Sequence, residues 1–137
     1  MDYSKIENYL YEKEMQDIRE ACSDIWKEFG GAFKESIIDK ALTIALQERG
    51  LRIDDQKRID IYFHSKKVGV YIPDKVVNDI ILIELKCKPI LTKVDEKQFW
   101  YYLKATSYKV GLLINFGPNK LEIRRRIYDK ARIKHGI

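Results

Sequence analysis

The run Ile80-Ile81-Leu82-Ile83-Glu84-Leu85-Lys86 constrains this chain most. Its apolar residues read as a buried strand, and the alternation of an extended chain then puts Glu84 and Lys86 on one face with Leu85 on the other. An acid and an amine project together from the end of a buried element. Such a pair is costly to desolvate unless something compensates, and a metal ion would. Asp74 follows Pro73 and precedes Glu84 by nine intervening residues. It offers the second hard oxygen ligand that Mg2+ requires, leaving Lys86 to orient a water or steady a phosphate. The structural alternative is a mutual ion pair of Glu84 and Lys86 at a sheet edge.

The pattern around this run predicts an ordered alternation of helices and strands. Residues 3–29 carry Ile6, Leu10, Ile18, Cys22, Ile25 and Trp26 at helical intervals, giving one long helix or two short ones, which Gly30-Gly31 breaks. Residues 33–49 repeat the pattern through Phe33, Ile37, Ile38, Ala41, Leu42, Ala45 and Leu46, with Gly50 placed to end the helix. Residues 53–63 alternate as a strand, His64-Ser65-Lys66-Lys67 turns a hairpin, and residues 68–72 return. A third strand spans residues 80–87, between the turn signal Asn78-Asp79 and Pro89. Residues 95–107 form a helix starting near Thr92, residues 109–116 an apolar strand, and a last strand begins at Leu121. The helix between these strands is long enough to carry a parallel crossover. The predicted order is helix, three strands, helix, two strands.

A chain of 137 residues suits one domain, so residues 1–137 are read as a single unit. No apolar run is long enough to span a bilayer, and Met1-Asp2-Tyr3-Ser4-Lys5 lacks a secretory signal's apolar segment, so no membrane partner and a cytoplasmic location are expected. Cys22 and Cys87 cannot make a four-cysteine metal site and read as reduced structural residues. The net charge is +5, which favours a polyanion. Lys120, Arg124, Arg125, Arg126, Lys130, Arg132 and Lys134 crowd the last part, with Lys104 and Lys109 upstream. They form either a phosphate-contacting surface or a solvated basic tail.

Four places hold polar residues that periodicity does not require: Glu35 in the first turn of the second helix, Asp74, the pair Glu84 and Lys86, and Gln98 one turn before Tyr102. Together these residues resemble the PD-(D/E)xK nuclease superfamily. Pro73-Asp74 and Glu84-Leu85-Lys86 match its signature, and the predicted elements resemble its αβββαβ core over about residues 25–127. Gly31-Ala32-Phe33-Lys34-Glu35 and Gln98-Phe99-Trp100-Tyr101-Tyr102 resemble the G-h-x-x-E and Q-x-x-x-Y elements of its RecB-like branch. The chain is more similar still to the small single-domain GxxExxY group, through Glu35-Ser36, Glu48-Arg49-Gly50-Leu51, Ile83-Glu84-Leu85-Lys86 and residues 110–117. It departs from that group with Ala32 in the first glycine's place and Ile38 in the tyrosine's.

The resemblance implies an α/β, restriction-endonuclease-like fold: a central mixed sheet flanked by helices, with an extra N-terminal helix. It implies a nuclease that uses Mg2+ or Mn2+ to hydrolyse DNA phosphodiesters by structure rather than sequence, RNA being open. Asp74, Glu84 and the Leu85 backbone carbonyl would bind the metal, and Glu35 would act through water or a second ion. Lys86 would position the attacking water, Gln98 would support the site from its helix, and Tyr102 would pack. Lys104, Lys109, Arg124, Arg125 and Arg126 would contact the nucleic acid. The small basic domain also resembles Holliday-junction resolvases, which act as dimers, so the long first helix offers either a homodimer interface or a cover for the sheet. A catalytically weak nuclease-fold protein that binds nucleic acid or a partner is the alternative.

Overall fold

A computed structural model describes residues 10–128. Its elements are α1 (Glu12–Phe29), α2 (Glu35–Glu48), β1 (Ile53–Asp55), β2 (Ile59–Phe63), β3 (Lys66–Tyr71), β4 (Lys75–Val77), β5 (Ile81–Lys86), α3 (Lys93–Ala105), β6 (Val110–Phe116) and β7 (Leu121–Ile127). The five-stranded sheet runs β1-β4-β5-β6-β7, and β2 with β3 forms a separate hairpin. Strands β5 and β6 are parallel, from Ile81 opposite Val110 to Lys86 opposite Asn115, and the other neighbours are antiparallel. Helix α3 is therefore the crossover that joins the two parallel strands, as its length predicts. Its start is fixed by Thr92, whose hydroxyl accepts from the Asp95 N–H while the Asp95 carboxylate accepts from the Thr92 N–H.

Alternation along β5 divides the core between two layers. Ile81, Ile83 and Leu85 pack with Ile18, Cys22, Ile38 and Leu42 of α1 and α2, and Leu82 packs with Val76 and with Leu103 of α3. Glu84 and Lys86 continue the Leu82 face, so both emerge under α3 rather than under the N-terminal helices. Where α3 lies on the sheet, a Cβ at Gly111 would stand 2.6 Å from the Phe99 ring. Gly111→Ala is expected to cost about 1–3 kcal/mol by forcing that ring aside. Urea unfolding would measure it, and a loss below about 0.5 kcal/mol would mean that the helix does not seat there.

The expected strand over residues 53–63 is two strands in different sheets. Gln56 takes a left-handed φ of 66° and Lys57 is drawn to Asp79 at 2.6 Å, which breaks the run between β1 and β2. The expected hairpin is present, turning on His64 and Ser65 at φ 49° and 64°. Strand β4 was not predicted: it is three residues long, and Lys75 gives it a polar first position. Five strands thus separate α2 from α3 where three were expected, and β1, β4 and β5 are the ones that enter the main sheet. The first helix begins at Glu12 among the described residues; its expected start near Tyr3 lies outside them. No helix of the described residues is long and apolar enough to cross a membrane.

Candidate active site

The chain between β3 and β4 brings Asp74 against the end of β5. Asp74 Oδ2 accepts from the Leu85 N–H at 2.6 Å, and the Asp74 N–H donates to Glu84 Oε1 at 3.2 Å. The Tyr71 hydroxyl donates to the same Glu84 oxygen at 2.8 Å. Pro73-Asp74 and Glu84-Leu85 are therefore clasped through backbone and side chain together. Among the described residues Asp74 Oδ1 and Glu84 Oε2 take part in none of these bonds.

Burial first, and then the Asp74 charge, push the Glu84 carboxyl up to about 7, against the Tyr71 hydroxyl, the Asp74 N–H and the Lys86 ammonium. Asp74 is raised mainly by burial, opposed by the Leu85 N–H. Glu35, the first residue of α2, is raised by burial and by Asp74, while Lys86 holds it down. Proximity of like charges is thus felt at all three acids, and Lys86 acts on each. Such clustered carboxylates are the hard oxygen donors that Mg2+ or Mn2+ takes. Among the described residues no three His, Cys, Asp or Glu side chains are gathered at metal-binding distances. Asp74 and Glu84, joined through the Asp74 N–H, are two hard oxygen donors of the type that a divalent cation takes.

Two further contacts place Glu35. The Gly31 backbone lies directly on that of Gly117, where any Cβ at residue 31 would collide with the Gly117 carbonyl, and Trp26 Nε1 donates to that carbonyl at 3.1 Å. Lys75 is fully buried, with its ammonium bonded to the Asp39 carboxylate, to the Asp39 carbonyl at 3.2 Å and to Asp55 at 3.4 Å. It ties α2 to the residue after Asp74. Removing one partner of such a buried pair costs about 3–5 kcal/mol, so Lys75→Met is expected to lower stability strongly, and Asp39→Asn to lower it less because a hydrogen bond survives. Thermal melts of the two variants would show the order; a Lys75→Met protein as stable as wild type would contradict it.

Gln98 enters from α3. It lines a cleft of about 120 Å3 with Glu84, Lys86, Tyr71, Asp95 and Tyr102. Glu35 and Asp74 are not among the residues lining that cleft. The Tyr102 ring is stacked on Tyr71 at 4.4 Å between centroids. Asp95 belongs to the frame of the cleft: burial works to raise its carboxyl, but the Lys88 ammonium and Thr92 outweigh it and bring it to about 2. Buried Asn115 fastens the chain after β5 by accepting from the Lys88 N–H at 2.9 Å and donating to the Lys88 carbonyl at 3.0 Å.

The basic residues divide. Arg124 pairs with Glu96 at 3.2 Å and Glu122 at 3.1 Å, and Arg126 pairs with Glu96 at 3.4 Å, so much of their charge is met within the fold. Arg125 and Lys109 are half-buried, and the Lys104 ammonium lies 4.9 Å from the Tyr101 ring centre. Lys130, Arg132 and Lys134 lie outside the described residues. Sequence reasoning missed Tyr71, Lys75, Asp39 and Asp95. Asp39 alone carried a local signal, one turn after Glu35 on the same helix face.

No curated protein matches the chain. Among solved structures, an alkaline exonuclease (LHK-Exo) from Laribacter hongkongensis is similar at 14% identity and a TM-score of 0.39, over 68% of this chain. The chain spans 55% of that enzyme's length. A family model matches residues 12–126, a stretch that takes in Glu35, the Asp74–Glu84 clasp, Lys86 and Gln98, and by that match the chain belongs to the PD-(D/E)XK nuclease superfamily.

Proposed function

We propose that this protein is a divalent-metal-dependent deoxyribonuclease that selects its substrate by structure rather than by base sequence. The observation that carries the reading is the end of β5, where half-buried Glu84 is bonded to the Asp74 N–H while Lys86 and Gln98 share its cleft. A satisfied structural ion pair needs neither the second acid nor a cleft. Asp74 and Glu84, with the Leu85 carbonyl, would hold Mg2+ or Mn2+, and Glu35 would join through water or a second ion. When bound, the ion would neutralise charge at the phosphate and lower the pKa of a bound water, easing its conversion to the attacking hydroxide.

The chain's own residues do the rest. Tyr71 and the Asp74 N–H hold one Glu84 oxygen, which leaves the other outside these bonds. Lys86 places a positive charge beside the carboxylates, where it orients the attacking water and stabilises the extra charge on the phosphate as the new P–O bond forms and the old one breaks. Gln98 supports substrate or Lys86 by hydrogen bonding from α3. Lys104, Lys109, Arg125 and the outward parts of Arg124 and Arg126 supply backbone contacts, which position a nucleic acid without reading it.

Incubation with labelled single-stranded, duplex and four-way-junction DNA, and with RNA, in EDTA, Mg2+ or Mn2+ tests the reading. Metal-dependent cleavage of DNA is expected. Binding without cleavage on every substrate would replace it with a nuclease-fold binding protein.

A further inference from the structure

Beside the Glu84–Lys86 cleft, α3 borders a second hollow of about 360 Å3, lined by Ile61, Gln98, Tyr101, Tyr102 and Ala105. Gln98 and Tyr102 line both, so the two are neighbours along the helix. The volume lies within the range of about 300–1,000 Å3 found for small-molecule sites. Its walls are aromatic and aliphatic: Tyr101 is 62% exposed and Tyr102 40%. Tyr102 is also stacked on Tyr71, within 18° of parallel. A positive charge stands at the rim, where the Lys104 ammonium lies 4.9 Å from the Tyr101 ring centre and 5.7 Å from that of Trp100.

A flat apolar and aromatic hollow, a cation at its rim and a phosphate-handling centre next to it match a nucleotide more closely than a peptide or lipid. The base would enter between the tyrosines, and its backbone phosphates would run between Lys104 and Lys86. We propose that this hollow receives an unpaired nucleobase of the strand being cut, making single-stranded or frayed DNA the preferred substrate. A base held in a duplex cannot enter without leaving its stack, whereas an unpaired one stacks on a tyrosine face freely. This inference rests on the nuclease reading of the adjoining cleft, and the hollow can be probed without cleavage.

The test is binding of single-stranded DNA oligonucleotides containing 2-aminopurine to the full-length protein in EDTA, where stacking on an aromatic side chain quenches the base. Wild type is expected to quench, and Ala105→Leu, which fills the hollow, and Tyr101→Leu, which removes an exposed ring, to weaken binding about tenfold with unchanged circular dichroism. A duplex carrying the same base is expected to show little quenching. Absent quenching in wild type, or equal quenching by wild type and both variants, overturns the inference. So does equal cleavage of single-stranded and duplex DNA by an active protein. Quenching by a protein that cleaves nothing supports the base site and overturns the nuclease reading instead.

Discussion

Lys86→Ala is expected to lower metal-dependent DNA cleavage about 10²–10³-fold, the usual cost of removing one preorganised group that meets developing charge. The fold should survive, because Lys86 is half-buried at the last position of β5 and faces a cleft rather than the Ile81, Ile83 and Leu85 core. Lys86 also holds down the pKa of Glu35, Asp74 and Glu84, so its loss leaves three crowded acids with less compensation. Proton uptake at those acids should increase in the metal-free variant, and divalent cations should stabilise it at least as much as wild type. Lys86→Arg keeps the charge but not the compact ammonium, and should recover only part of the activity. Cleavage time courses on one oligonucleotide, with melts of each variant, separate these effects. Full activity in Lys86→Ala would remove the lysine from the mechanism.

The second large effect concerns stability. Glu84 is raised from 4.5 in the unfolded chain to about 7 in the fold. Below about pH 4.5 the carboxyl is protonated in both states and contributes nothing; as pH rises toward 7 the unfolded chain releases its proton more readily, so folding loses stability. Above 7 the loss is constant. Asp74 and Glu35 are shifted the same way and add to it. Asp95 acts oppositely, its stabilisation present above its unfolded value near 3.8 and lost only as pH falls toward 2, so the two windows do not overlap. In EDTA, wild type is expected to lose on the order of 2 kcal/mol between pH 5 and 8 through Glu84, and Glu84→Gln to be flatter and more stable at pH 8. Mn2+ should restore wild type and leave the variant unchanged. Urea midpoints across that range measure both, and identical pH slopes for the two proteins would show that Glu84 ionises without cost.

The central part of the fold was legible because its signals are local. Four apolar residues ahead of Glu84 define β5, Thr92 and Asp95 cap α3, and a helix of that length between two apolar strands forces a parallel crossover. Glu35, Asp74, Glu84, Lys86 and Gln98 could be named as a set because their conjunction resembles the PD-(D/E)xK signature; taken singly, Asp74 reads as a turn residue and Gln98 as a surface one. What stayed illegible depends on partners distant in sequence. Lys75 reads as a surface residue until Asp39 and Asp55 are seen to meet it, and the strand it begins was overlooked for that reason. Tyr71 reads as the end of a hairpin strand, and its hydroxyl acquires meaning only where β5 passes beneath it. Arg124 and Arg126 read as a basic surface, whereas Glu96 and Glu122 lie opposite them. The break at Gln56 rests on a backbone conformation that its residue type does not announce.

The most direct measurement is calorimetric titration of Mn2+ into wild type, Asp74→Asn and Glu84→Gln at pH 7.5, without nucleic acid. The carboxylate cluster predicts saturable binding to wild type, weakened at least tenfold in each variant, with protons released on binding because Glu84 is partly protonated near neutral pH. No binding to wild type at millimolar Mn2+, or equal binding by all three proteins, would contradict a metal site at Asp74 and Glu84.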